Sequence, residues 1–305
     1  MDKVRAIMDR YADRLTAKLG AGFLNLRTGE SYCVNGDIAF PAASTFKVPL
    51  LIELFTQAVE GKLDLDETIT IREQDKSIGS GVLAYFTPGS TLTLRTCATL
   101  MMIISDNTAT DIIWRRLGLD RINRRIEAMG LKNTKCDLTC DALVRITYGI
   151  PLDIGYREAE AALGGETTLD ERLYIDMAGP NDISSPDDMI TMFSAIYRKE
   201  VATPAACEEM IRIMEQCQTN NRIPYYIPHS GPLAARIAHK TGSLSFVVND
   251  SGIIMTKDNA FVLSLFLNGF DATQEEKDRN VNARLYEQTL AELARDVFMA
   301  VHEQA

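Results

Sequence analysis

The chain has 305 residues, 46% of them hydrophobic and 24% charged, enough to bury a sizeable core in one large domain or two interleaved ones. Its formal charge of −10 at pH 7 argues against nucleic acid and against anionic membrane surfaces as partners. No apolar run approaches the length of a membrane span, so no membrane partner is expected.

Residues 1–20 read as an amphipathic helix with Val4, Ile7, Met8, Tyr11 and Leu15 on one side. They lack the charged start and uninterrupted apolar stretch of a secretory signal. Gly20 to Asn35 reads as two short strands around an Arg-Thr-Gly-Glu turn. Ser44-Thr45-Phe46-Lys47 follows Pro41 and two alanines and opens an apolar run at helical spacing, Val48, Leu50, Leu51, Leu54 and Phe55. A serine and a lysine three residues apart in a helix share one face, one turn apart. In the first turn the serine meets unpaired N–H groups and the positive end of the dipole, where an alkoxide or a neighbouring oxyanion is stabilised. Lys47 is placed to take the serine proton or to hold the field around it.

A second polar motif, Ser105-Asp106-Asn107, follows the apolar run Leu100 to Ile104. Further on, Tyr156–Leu163 reads as a short helix. The third motif, Lys240-Thr241-Gly242, precedes Ser243 to Val248, which reads as a strand. Phe246–Met255 and Ala260–Leu267 then form a hairpin around Lys257-Asp258-Asn259, and a helix runs from about Glu275 to His302. Strands at both ends with helices between them predict an α/β (α+β) sandwich. Its antiparallel sheet is built from residues 1–39 and 214–305, with a mostly helical part over 40–213, as one domain spanning 1–305.

Six cysteines, Cys33, Cys97, Cys136, Cys140, Cys207 and Cys217, suit a reducing compartment. Cys136-x-x-x-Cys140 has the spacing of half a metal site, but no histidine lies near it, and the thiols read as structural. A cytoplasmic location is favoured, with a periplasmic or secreted one if the chain is the mature form of an exported protein.

The three motifs in this order resemble those of the penicillin-recognising serine hydrolases, the class A β-lactamases and penicillin-binding proteins. Phe40–Leu54, Pro88–Leu117 and Ile237–Phe266 resemble class A segments in composition and order. The resemblance implies a class A β-lactamase-like fold and an acyl-enzyme on Ser44, with β-lactam amide hydrolysis as the activity. A D-Ala-D-Ala peptidase or a small-molecule amidase or esterase is the alternative enzyme. A β-lactam-binding sensor that acylates without turnover is the alternative of another class. It also implies roles: Lys47 as base or electrostatic partner, Ser105 as proton relay to the leaving nitrogen, and Asn107 as holder of the substrate amide. Lys240 and Thr241 would bind the substrate carboxylate, and Gly242 would let backbone approach the ligand. The N–H groups of Ser44 and Ser243 would form the oxyanion hole. Asp106 is expected to orient its own loop. No metal or organic cofactor is called for, the partner is a small-molecule β-lactam or acyl amide, and a monomer is expected.

Three features depart from that family. The interval between the second and third motifs is longer by roughly thirty residues, giving an insert over about 135–183 that reads as a lid or as a surface elaboration. The family's deacylating glutamate lies in Glu-x-x-Leu-Asn, and the nearest match is Glu166-Thr167-Thr168-Leu169-Asp170, with Glu158, Glu160 and Glu171 as competitors. The strand facing the third motif, Gly252 to Thr256, also lacks the arginine that commonly assists carboxylate binding. Arg222 and Arg236 are the nearest candidates, each read as a surface charge.

Overall fold

The computed structural model describes residues 1–165, 179–245, 247–269 and 276–303, with the side chains of the last helix described from residue 283. Helix α1 (Asp2–Arg14) leads into strands β1 (Lys18–Asn25) and β2 (Ser31–Val34), then β3 (Phe40–Pro41). A 3₁₀ turn over Ala43–Phe46 runs directly into α2 (Lys47–Val59). Strands β4 (Thr68–Thr70) and β5 (Thr91–Thr93) precede α3 (Leu94–Ile103), α4 (Asn107–Leu117) and α5 (Leu119–Ala128). Then come α6 (Cys140–Thr147), α7 (Tyr156–Leu163), β6 (Ile183–Ser184), α8 (Pro186–Tyr197) and α9 (Pro204–Met214). The chain closes with β7 (Arg236–Leu244), β8 (Val247–Met255), β9 (Ala260–Asn268) and α10 (Glu276–His302).

The five-stranded sheet has the order β2-β1-β9-β8-β7 and is antiparallel throughout. Its central strands have apolar side chains on both faces, and the two-residue period of a strand sorts them. Along β9, Phe261, Leu263, Leu265 and Leu267 join the core under α1 and α10, while Val262 and Phe266 join the larger core of the helical part. Along β7 the same alternation sends Ile237 to the first core and Ala238 to the second. His239 therefore shares the face of Ile237, and Lys240 turns toward the helices. Both faces of this edge strand carry chemistry as a result.

Helix α2 is buried from Lys47 through Gln57, and an all-round apolar surface of that kind belongs to a helix at the centre of a bundle. Its lysine enters the interior because the helix does. Asp106 is the N-cap of α4 and accepts from Ala109 N at 2.9 Å. Its second oxygen accepts from Val82 N at 2.7 Å and Leu83 N at 2.8 Å, which ties the 77–83 loop to the start of α4.

Three local expectations change. Residues Ser243 to Val248 are not one strand: Leu244 pairs with Val247, so the chain turns there and the Lys-Thr-Gly motif lies inside β7 rather than before a strand. The turn gave no signal because no glycine, proline or asparagine stands between Leu244 and Val247. The first helix stops at Arg14, and residues from Lys18 already belong to the sheet. Two small ladders, β3 with β6 and β4 with β5, had no periodic signal because each is only two or three residues long.

Replacing Asp106 by alanine strands three N–H groups at once, two buried and one part-buried, and the expected loss is about 2 to 3 kcal/mol. Urea unfolding of Asp106→Ala measures it. Asp106→Asn, which keeps one acceptor oxygen, should recover part of the loss.

Candidate active site

The turn before α2 presents Ser44 at the head of a cavity of about 380 Å³. Ala43 holds a left-handed φ of 44° immediately before it, a conformation alanine rarely adopts, and the turn thereby lifts Ser44 out of the otherwise buried segment 40–52. Gly242 explains how β7 lies so close. A Cβ there would stand 2.7 Å from Ala42 O and 3.1 Å from Thr45 N. The glycine is therefore needed for β7 to lie against the turn that carries Ser44.

Behind the serine, Lys47 and Lys240 meet at one hydroxyl. Lys47 Nζ donates to Ser105 Oγ at 3.0 Å, to Ser105 O at 2.7 Å and to Asn107 Oδ1 at 3.0 Å. Lys240 Nζ donates to Ser105 Oγ at 3.1 Å and to Thr241 O at 2.8 Å. Ser105, at a left-handed φ of 58°, offers both oxygens inward. Both amines are fully buried, and every one of these acceptors is uncharged. Burial and then the neighbouring Lys47 charge bring the Lys240 amine down to about 7. Asn107 Nδ2 donates to Ile78 O at 2.9 Å, so its side chain joins α4 to the 77–83 loop as well as to Lys47.

The motif residues thus separate into three groups. Ser44, Asn107 and Ser243 line the cavity. Lys47, Ser105 and Lys240 form the hydrogen-bonded cluster behind it. Thr241 and Gly242 are buried in β7. Glu166 lies outside the described residues, as do Asp170 and Glu171; Gly165, the residue before Glu166, lines the cavity.

Arg222 corrects a sequence expectation. It is 1% exposed, not a surface charge. One of its terminal nitrogens donates to Gly242 O at 2.9 Å and Asn249 O at 2.6 Å. The other donates to Ser243 Oγ at 2.6 Å and pairs with Glu287 of α10 at 2.8 Å. It fixes the edge of the cavity from behind. Arg236, by contrast, is exposed and pairs with Glu215 at 2.7 Å.

The remaining wall comes from the insert. Cys140, Leu143, Val144 and Tyr148 of α6 and its C-terminus face the cavity together with Leu163 at the end of α7. Buried carboxylates hold this wall. Asp111 accepts from Cys140 N at 2.6 Å, Asp141 N at 3.0 Å and Ser77 Oγ at 2.7 Å. Asp182 accepts from Asp137 N at 2.8 Å and Leu138 N at 3.1 Å, while its carbonyl receives Ala42 N at 2.8 Å. Burial raises both carboxyls, Asp182 to about 7. At the rim, Tyr148 and Ser245 hydroxyls meet at 2.9 Å and join the insert to the β7–β8 turn. The Cys140 thiol, which the sequence presented only as a structural sulfur, is pushed well above its ordinary range by burial. Among the described residues no group of three potential metal ligands occurs, and no helix is long and apolar enough to cross a membrane.

Residues 1–300 match the model of the β-lactamase enzyme family. Among characterised proteins, β-lactamases PSE-4 and CARB-4 of Pseudomonas aeruginosa are 32% identical over 124 residues. That match covers 40% of this chain and 43% of theirs, so the chain aligns with less than half the length of these relatives. Among solved structures, a β-lactamase from Sphaerobacter thermophilus superposes with a TM-score of 0.78 at 27% identity, covering 99% of this chain and 98% of that one. PBP-A superposes with a TM-score of 0.77 at 26% identity, covering 99% and 97%, and a PBP-A mutant has been solved as an acyl-enzyme complex with penicillin G. The five-stranded sheet from both termini, the helical part and these matches along nearly the whole chain agree: the protein belongs to the β-lactamase enzyme family.

Proposed function

We propose that the protein is a serine hydrolase that opens a β-lactam, or a related acyl amide, by forming an acyl-enzyme on Ser44. The observation that carries this reading is the shared hydroxyl of Ser105, held by two buried amines behind a cavity headed by Ser44. Ser44 Oγ is the nucleophile, and Lys47, one helical turn on, is the group that receives its proton. The two amines occupy the acceptor sites of Ser105 Oγ, so its own O–H is the donor left for the departing nitrogen. Lys240 draws the substrate carboxylate, assisted by Thr241. The N–H groups of Ser44 and Ser243 receive the oxyanion, and Arg222 keeps Ser243 in register. The apolar wall of Leu143, Val144, Tyr148, Leu163 and Leu244 favours an acyl group with an aryl or branched apolar side chain. The penicillin G acyl-enzyme of the PBP-A mutant supports this substrate class.

Deacylation is the step that divides turnover from trapping. Glu166, next to the cavity-lining Gly165, is the proposed base for the attacking water. The second reading is a protein that acylates and stays acylated. It is favoured by one observation: among the described residues that line the cavity there is no carboxylate, and the Cys140 thiol stays protonated and cannot activate water.

Intact-protein mass spectrometry with benzylpenicillin should show a single adduct that Ser44→Ala abolishes; an adduct persisting in that variant would remove Ser44 as the nucleophile. Glu166→Ala should leave acylation intact and slow release of the adduct by about 100-fold or more. Equal release rates in the two proteins would leave the trapping reading standing. For Lys240 the sign follows from its depressed value: the ammonium is present below about 7 and lost above it. The rate of acylation by a carboxylate-bearing penicillin, divided by the rate for its neutral methyl ester, should therefore fall as pH rises from 6 to 8. A ratio independent of pH would exclude Lys240 from carboxylate binding.

A further inference from the structure

Helices α2 and α5 meet through charged faces that the proposed mechanism does not use. Along α5, Ile122 and Ile126 enter the core, while Arg121, Arg124, Arg125 and Ala128 follow the i, i+3, i+4, i+7 spacing of one helix face. Along α2, Glu53, Gln57 and Glu60 repeat that spacing up to the end of the helix. Gly61, at a left-handed φ of 70°, then reverses the chain, and Lys62 N returns to Gln57 O at 2.9 Å. The two faces and Lys62 line a cavity of about 310 Å³, separate from the one at Ser44.

The carboxylates of this cavity are already engaged. Glu53 is 4% exposed; one of its oxygens accepts from Arg125 Nε at 2.7 Å and the other from Gln57 Nε2 at 2.7 Å. Glu60 pairs with Lys62 at 2.6 Å and lies 3.6 Å from the Arg125 guanidinium. Arg121 and Arg124 are left over. Arg121 Nη1 donates to Gln57 Oε1 at 3.3 Å, and neither guanidinium has a carboxylate partner among the described residues. Gln57 is 1% exposed, so a buried amide rather than an anion sets where Arg121 stands. The cavity thus gathers four cations against two carboxylates, on a chain whose formal charge is −10. A concave wall concentrates that field, and the mutual repulsion of the cations is relieved by any anion that enters.

We propose that the cavity between α2 and α5 is a binding site for a phosphate dianion, free or as the terminal group of a small organic phosphate. The excess of two positive charges matches the charge of about −1.5 to −2 that a phosphate monoester carries at pH 7. Three peripheral oxygens can receive two guanidinium forks at once, whereas a carboxylate offers two oxygens and one charge. The volume stands at the lower end of the range for small-molecule sites, about 300–1,000 Å³, and leaves room for an organic part. The site does not depend on the reading of Ser44, since Gln57 lies about 15 Å along α2 from Lys47.

Isothermal titration calorimetry of the native full-length chain tests it, at an ionic strength of about 0.15 M, with inorganic phosphate, glucose 6-phosphate and acetate as titrants. At least one phosphate-bearing titrant should bind saturably at one site, and acetate at least about tenfold more weakly. Combining Arg121→Gln with Arg124→Gln should weaken phosphate binding about tenfold or more. Both positions are exposed, so the thermal unfolding of the unliganded variant should match that of the wild type. Tighter binding of glucose 6-phosphate than of phosphate supports the site with an organic phosphate as its ligand; equal or weaker binding supports it with free phosphate. Absence of saturable binding by either up to about 10 mM overturns the proposal, as does acetate binding as tightly as phosphate. Phosphate affinity unchanged in the double variant also overturns it, because the anion then sits elsewhere, as at Lys240. Adduct formation with benzylpenicillin should be equal in the two proteins, so failure of the serine-hydrolase reading would be visible separately.

Discussion

Two buried amines that share one serine hydroxyl are the constraint around which this molecule is arranged. Lys47 comes from the start of the central helix, Lys240 from an edge strand of the sheet, and Ser105 from the junction of α3 and α4. Cations removed from water normally demand carboxylate partners, because neutral dipoles replace hydration incompletely. Here the partners are two backbone carbonyls, one amide oxygen and the hydroxyl. The deficit favours any anion that enters. Maintaining the pair requires rigidity from three directions, and the surrounding structure supplies it. Asp106 fixes the 77–83 loop, Gly242 allows β7 to lie against the Ala42–Thr45 turn, and Arg222 braces the strand from behind.

The sheet lets one strand serve two environments. Alternation along β7 turns Lys240 toward the helices and His239 toward the core under α1 and α10. A charge on either face is felt on the other, because a single strand separates them and little water intervenes. Helix α10 also takes part, since Glu287 balances the guanidinium of Arg222.

The insert gives this protein an active-site wall of its own. Segment 135–148 is stitched to α4 through the carboxylate of Asp111 and to the turn before α2 through Asp182, whose carboxylate holds Asp137 and Leu138 while its carbonyl accepts from Ala42 N; burial raises both carboxyls. Each accepts several N–H groups, which secures the start of α6 more firmly than apolar packing alone would. The apolar side chains of α6 and α7 then face the cavity, and the Tyr148–Ser245 contact closes its rim. The described part of the insert thus lines the cavity through α6 and the end of α7.

The fold class was legible in the sequence because its signals are local. Periodicity distinguishes the terminal strands from the intervening helices, and the short helix Tyr156–Leu163 has the bounds its spacing predicts. Motif chemistry was local too: a hydroxyl and an amine one helical turn apart, and a lysine and glycine in one strand, can be read from adjacent letters. What a side chain faces across the interior could not be read in that way. Arg222 looks like a surface charge until β7, β8 and α10 close around it, and Cys140 looks like a structural sulfur until Asp111 and Asp182 carry it to the cavity. The tight approach of Gly242 to the Ala42–Thr45 turn could not be read either, because that turn lies some two hundred residues earlier in the chain. The sequence by itself determined the elements and the chemical groups they carry, since these depend on neighbours a few residues apart. Only the tertiary structure decided which groups share a cavity, which charges are buried together and which face of β7 each occupies, because burial and Coulomb coupling depend on distance in space.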